Sequence, residues 1–163
     1  MHYSIRKIQP VDNPRVKDII TTVMTDFGCV GCGYSINDPE VAAMSEHYLP
    51  PKAAFYVIEI DGVIFGCGGI ARLEGGQSHV AEVRKMYFLP ELRQLGAGSA
   101  LMERCLKASV NMGYRYIYLE TMENMTAARK LYRRFGFEDL KQALGDTGHG
   151  SCNSWMGMTL ENA

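Results

Sequence analysis

With 163 residues, 47% of them hydrophobic and 21% charged, the chain is sized for one domain with a proper core and is not a disordered polypeptide. A formal net charge of -1 lacks the basic surplus that nucleic acids demand, so no nucleic-acid partner is expected. No run approaches the roughly 18 apolar residues of a membrane span, Met1–Pro10 has no secretory apolar stretch, and five scattered cysteines suit a reducing cytoplasm, so a cytoplasmic location with no membrane partner is expected.

Tyr3–Ile8 predicts an edge strand. Asn13 then caps a helix with Pro14 at its first position, whose apolar stripe is Val16, Ile19, Ile20, Val23, Met24 and Phe27, with Gly28 as its stop. Cys29–Asn37 is glycine-rich and irregular, a lip over a site. Its Cys29-Val-Gly-Cys32 spacing supplies half of a zinc site at best, so two ordinary thiols and no metal are expected. Asp38-Pro39 opens a second, shorter helix that Pro50-Pro51 ends.

Ala54–Ile60 and Val63–Arg72 predict strands joined by an Asp61-Gly62 hairpin turn. Gly66, Gly68 and Gly69 mark a bulge or a close backbone approach. Val80–Leu89 is the next strand, Ser99–Met112 a helix capped by Gly113, and Tyr116–Thr121 a strand. Met125–Phe135 is a helix closed by Gly136. Phe137–Leu140 and Ser154–Leu160 are strands separated by the polar loop Lys141–Asn153. The order β-α-α-β-β-β-α-β-α-β-β describes an α/β fold, a mixed sheet with helices on both faces.

Between the Val80–Leu89 strand and the following helix, the loop begins at Arg93 and ends in Gly96 and Gly98. Glycines without Cβ atoms let successive N–H groups turn toward one point, and the helix adds its positive N-terminal end. Such a turn holds a phosphate or diphosphate. A dinucleotide-binding Rossmann turn would follow its strand directly, whereas here Pro90–Leu95 intervenes, and the upstream hairpins have no place in a doubly wound sheet.

Arg93-Gln-Leu-Gly96-Ala-Gly98, followed by Asn124, Ala127, Leu131-Tyr132 and Gly136-Phe137, resembles the two signatures of the GNAT superfamily of acetyl-CoA-dependent N-acetyltransferases. The likeness is carried by Val83–Leu140, and the element order agrees over nearly the whole chain. It implies a single GNAT domain over residues 1–163 whose mostly antiparallel sheet holds a splayed parallel pair, with the cofactor core at about residues 80–140. One departure is Gln94, where many members have glycine. The resemblance further implies that acetyl-CoA pairs through its pantetheine arm with the backbone of Met86, Tyr87 and Phe88. Its diphosphate would lie on the N–H groups of Gln94, Leu95, Gly96, Ala97, Gly98 and Ser99, with Arg93 adding charge. Asn124 would bond the cofactor arm, or act as a plain helix N-cap.

Acetyl transfer needs a neutral amine to attack a thioester and a proton for the departing thiolate. Tyr132 matches the family's tyrosine acid. For the base, Glu82 lies in the apolar run Val-Ala-Glu-Val, where burial would raise its pKa. It precedes Arg93 by eleven residues, the offset used by histone-acetylating relatives. Glu120 is its rival, because some relatives use a glutamate after that strand. The alternatives for each are to bind the acceptor's ammonium, to pair with Arg84 or Lys85, or to work through a water chain. His149 and Cys152 lack the elbow of a nucleophilic pair and are acceptor-site or loop-packing residues. Among Arg129, Lys130, Arg133 and Arg134, one is a candidate for the cofactor's 3′-phosphate. The implied partners are acetyl-CoA and a small amine or peptide acceptor, with a homodimer through terminal strands as the base-rate assembly. Two functions follow: an N-acetyltransferase, or a non-catalytic acyl-CoA-binding module of the same fold.

Overall fold

The computed structural model describes residues 2–161 and arranges seven strands in one sheet of order β1-β2-β3-β4-β5-β7-β6. The strands are β1 Ser4–Lys7, β2 Ala54–Ile60, β3 Val63–Arg72, β4 Val80–Phe88, β5 Tyr116–Thr121, β6 Glu138–Leu140 and β7 Ser154–Thr159. Three α-helices cover it: α1 Asn13–Asp26, α2 Ala97–Asn111 and α3 Thr126–Phe135. Every strand pairing is antiparallel except β4 with β5.

Alternation along β2 explains the two-sided cover. Ala54, Tyr56, Ile58 and Ile60 join Leu101, Cys105 and Leu131 in one core cluster, under α2 and α3. Phe55 and Val57 point the other way, into a cluster with Val16, Ile19 and Ile20 of α1. A sheet buried on both faces needs apolar residues at successive positions, which is why β2 reads as an unbroken hydrophobic run. The hairpin turn is as expected, with Asp61 at φ 49 and Gly62 at φ 79, the two left-handed residues of a tight turn whose twist suits the flanking strands.

Three expectations are corrected. Residues 38–50 form no α-helix but two 3-10 turns, Pro39–Ala42 and Met44–Glu46. Each turn buries one apolar residue, Val41 in the first and Met44 in the second. Asn13 is no cap, since its side-chain amide donates to Ser45 Oγ at 2.8 Å and accepts from the Ser45 N–H at 2.9 Å, tying α1 to the second turn. Helix α2 begins at Ala97, two residues before the expected Ser99, because the left-handed Gly96 starts it.

The glycines of β3 answer to both suggestions. A Cβ on Gly69 would lie 2.4 Å from the Ala54 carbonyl oxygen, so the backbones approach closely there. The β3–β4 register slips between Cys67 and Gly69, where β4 carries one extra residue, and Lys85 at that bulge sits at φ 50. A bulge bends its strand. Beyond the pairs Val80↔Tyr116, Ala81↔Ile117 and Glu82↔Tyr118, β4 leaves β5 altogether, while β5 stays paired to β7 as far as Thr121↔Ser154.

Candidate active site

The fork between β4 and β5 opens a cavity of about 510 Å³, within the range of cofactor sites. Met86, Tyr87 and Phe88 line one side, on the stretch of β4 whose edge toward β5 is unpaired. Leu119, Glu120 and Thr121 of β5 line the other. Arg93, Gln94, Gly96, Ala97, Gly98 and Ser99 close one end.

That end has the geometry of an anion cradle. Gln94 stands at φ 63 and Gly96 at φ 74, so two left-handed residues turn the chain sharply before α2. Gln94 adopts the conformation that glycine takes freely, at a cost of about 1 kcal/mol. The first α2 bond runs from the Ala100 N–H to the Gly96 carbonyl at 3.1 Å, so the amides of Ala97, Gly98 and Ser99 precede any helical partner. A Cβ on Gly98 would sit 3.3 Å from Leu131 Cδ2, so α2 and α3 meet closely where this turn begins.

Two predicted contacts fall outside the cavity wall. Leu95 packs its side chain against the core. Asn124 donates to the Phe27 carbonyl at 3.3 Å, and the N-cap position of α3 belongs to Met125, so Asn124 neither lines the cavity nor caps the helix. Arg129 and Arg133 are engaged by Asp139 at 3.2 and 2.9 Å, which leaves Arg134 as the arginine of that helix facing the cavity.

Tyr132 is buried at 6% exposure and tilts against Phe137 with ring centroids 5.9 Å apart. Burial, with Cys105 beside it, pushes its phenol up to about 12. Among the described residues, Arg129 Nε is the single fully closed-off polar side-chain atom without a partner. Tyr132 lines the cavity, and its hydroxyl bonds none of the described residues. It is a neutral proton donor at physiological pH.

The other end of the cavity joins Glu82, Glu120 and His149, whose ligand-type atoms lie within 4.8 Å of one another. Burial raises the Glu82 carboxyl above its ordinary value, against the pull of Arg84, whose Nε donates to Oε1 at 2.7 Å. Oε2 has no partner among the described residues, and Glu82 lines the cavity. Glu120 shifts the opposite way. Burial would raise it, but hydrogen bonds from His149, Thr147 and Tyr118 outweigh that and hold it low. The two carboxylates, equivalent by residue type, thus differ in basicity because one is saturated with donors and the other is not.

His149 bridges the site. Its Nε2 lies 2.9 Å from Asp38 Oδ2 and its Nδ1 3.3 Å from Glu120 Oε1. Burial would lower the imidazole, yet these two carboxylates push it up to about 9, so it is an imidazolium at neutral pH. A metal at this cluster would have to displace one of those bonds, since both ring nitrogens are engaged. Asp38 also accepts from Lys85 Nζ at 2.7 Å, and Lys85 bonds Glu40 as well. The late loop closes further on the early one where the Ser151 N–H donates to the Gly33 carbonyl at 3.2 Å. A Cys152–His149 nucleophilic pair has no support, because burial and nearby carboxylates push the Cys152 thiol up to about 12. Sequence reasoning named neither Asp38 nor Thr147 for this site, and it gave Lys85 to the glutamates Glu82 and Glu120, whereas Lys85 pairs with Asp38 and Glu40 and Arg84 is the partner of Glu82. Asp38 and His149 stand 111 positions apart, and no local spacing connects them.

Comparison with known proteins agrees with this architecture. The Acetyltransferase (GNAT) family profile matches residues 18–137. The chain is 36% identical to the uncharacterized N-acetyltransferase YjgM of Escherichia coli K12 over 149 residues, 91% of this chain and 89% of that one. A GNAT-family acetyltransferase from Staphylococcus aureus Mu50 superposes with a TM-score of 0.85 at 18% identity, over 98% of this chain and 100% of that chain. The yncA putative acetyltransferase of Salmonella typhimurium, solved with its cofactor acetyl-CoA, gives a TM-score of 0.74 at 15% identity, over 100% and 96% of the two chains.

Proposed function

Because the chain belongs to the GNAT acetyltransferase family, we propose that it moves an acetyl group from acetyl-CoA to a primary amine by direct attack. The observation that carries this reading is the parting of β4 from β5 after Glu82↔Tyr118, with an anion cradle at one end of the fork and a carboxylate pair at the other. The Salmonella neighbour holds acetyl-CoA on the same fold, which supports a like cofactor here. The diphosphate rests on the amides of residues 94–99, with Arg93 and Arg134 beside it. The pantetheine arm runs along the unpaired edge of Met86–Phe88, and Leu95 contributes backbone alone.

Glu120, ionised and fixed by its donors, draws the acceptor's ammonium in. Glu82, with a free oxygen and a raised pKa, takes the proton that makes the amine nucleophilic. The amine nitrogen then bonds the thioester carbonyl carbon, and the tetrahedral adduct collapses by breaking the C–S bond. Tyr132 gives its proton to the departing thiolate, and the proton still held by the new amide nitrogen passes to the Tyr132 phenolate, so the phenol is restored and Glu82 returns the first proton to solvent. Asn124 has no part in the scheme. Holding both reactants in one cleft supplies much of the rate besides.

Release of free CoA thiol with a panel of amines tests the scheme. The wild type should turn over, and Tyr132→Phe should lower kcat by about 100-fold while leaving acetyl-CoA affinity within twofold. A Tyr132→Phe variant as fast as wild type would remove the assigned acid. Tight acetyl-CoA binding with no transfer to any amine would favour a non-catalytic acyl-CoA-binding module instead.

A further inference from the structure

We infer that the acceptor of this site carries its ammonium on an uncharged, apolar body, and that amines bearing a carboxylate next to the amino group, as α-amino acids do, are disfavoured. The inference rests on the acetyl-transfer reading and concerns which amine that reaction takes.

The charges at the acceptor end are not free to receive a carboxylate. Lys85 has a side chain 2% exposed, and it is spent on Asp38 at 2.7 Å and on Glu40. Arg84 gives Nε to Glu82 at 2.7 Å and Nη2 to the Arg72 carbonyl at 2.8 Å. His149 lies between Asp38 and Glu120. Every cation there is thus already bonded to at least one carboxylate. The remaining arginines of the cavity wall, Arg93 and Arg134, belong to the cradle loop and to α3.

Carboxylates, in contrast, are in surplus. Asp38, Glu40, Glu82 and Glu120 face three cations, and Glu82 Oε2 has no partner. With Glu82 protonated the cluster becomes neutral, and it still offers no unpaired cation. An incoming carboxylate would meet like charge in a poorly solvated site, or would have to pull a cation away and strand a buried carboxylate. Either is costly. An ammonium meets the reverse, an open oxygen on Glu82 beside an ionised Glu120. The same cavity is also lined by Met24, Phe27, Tyr34 and Met122, which offer apolar and aromatic surface to the body of an acceptor. Phe27 is 40% exposed at the end of α1, a large apolar ring left uncovered where an apolar body would enter.

Calorimetric titration of the protein–CoA complex with a matched set decides the matter. Phenethylamine, phenylalaninamide and phenylalanine share an aromatic body and differ in the charge beside the amine. The two uncharged-body amines should bind at least about tenfold more tightly than phenylalanine. Phenylalanine binding as tightly as phenethylamine overturns the inference, and so does failure of both other amines to bind. The readouts separate it from the reading beneath it. Amine preference in binding with no CoA released from acetyl-CoA would sink acetyl transfer and leave the preference standing. CoA release that favours phenylalanine would sink the preference alone.

Discussion

Replacing His149 with glutamine should make the stability of this protein lose a specific part of its pH dependence. The imidazole is 12% exposed, lies between Asp38 and Glu120, and is pushed from 6.5 to about 9. A raised histidine pKa stabilises the folded state fully below 6.5, where both states hold the proton. The contribution then falls as pH rises and is gone above 9. At about 1.4 kcal/mol for each pH unit in that window, it amounts to ~3 kcal/mol. Asp38, Glu120, Lys85, Glu40, Glu82 and Arg84 remain in both proteins, so the difference between them isolates the imidazolium. Urea unfolding of wild type and His149→Gln at pH 6, 7.5 and 9.5 measures it. The variant should be less stable by about 3 kcal/mol at pH 6, and the gap should shrink steadily to under about 1 kcal/mol at pH 9.5. A gap that stays constant across the range would refute the imidazolium bridge and reduce His149 to ordinary packing.

Other consequences are equally open to measurement. Because burial raises the Glu82 carboxyl, kcat/KM should climb with pH on an acid limb displaced above 4.5, and Glu82→Gln should abolish that limb along with most of the activity. A Gly69→Ala change puts a methyl group against the Ala54 carbonyl oxygen and should cost about 2–4 kcal/mol in urea unfolding, whereas Gly62→Asn in the hairpin turn, with open space around it, should cost under about 1 kcal/mol. Removing the Asn13 amide by Asn13→Ala takes away both bonds to Ser45 and should lower stability by about 1–2 kcal/mol, again read by denaturant titration.

Much of this fold is legible where a short-range signal decides the structure. The Asp61-Gly62 turn, the strand Tyr116–Thr121 and the stop of α3 at Gly136 all depend on residues within a few positions of one another, and all are found where the sequence places them. Long-range competition defeats the same reasoning elsewhere. Asn13 has the residue type of a cap, but Ser45 claims its amide. The stretch after Pro39 has helical composition, but it folds as two tight turns broken at Ala43, whose φ of -149 is not helical. The sharp turn at one end of the cavity was readable because it is one contiguous loop, Arg93 to Gly98. At the other end Glu82, Glu120 and His149 were legible one by one, but their union with Asp38 and Lys85, drawn from two loops and two strands, is made by the tertiary fold alone. The bulge at Lys85 has no mark on its own strand, since lysine is not a residue that advertises a left-handed backbone, and the glycines of the facing β3 are its one sign in the sequence.

Amide hydrogen exchange with and without acetyl-CoA tests the central claim most directly. Saturating acetyl-CoA should slow exchange at Met86–Phe88, on the unpaired edge of β4, and at residues 94–99, while the paired segment Val80–Glu82 changes little. Unchanged exchange at both segments, or protection confined to another face of the sheet, would contradict a cofactor seated in the fork.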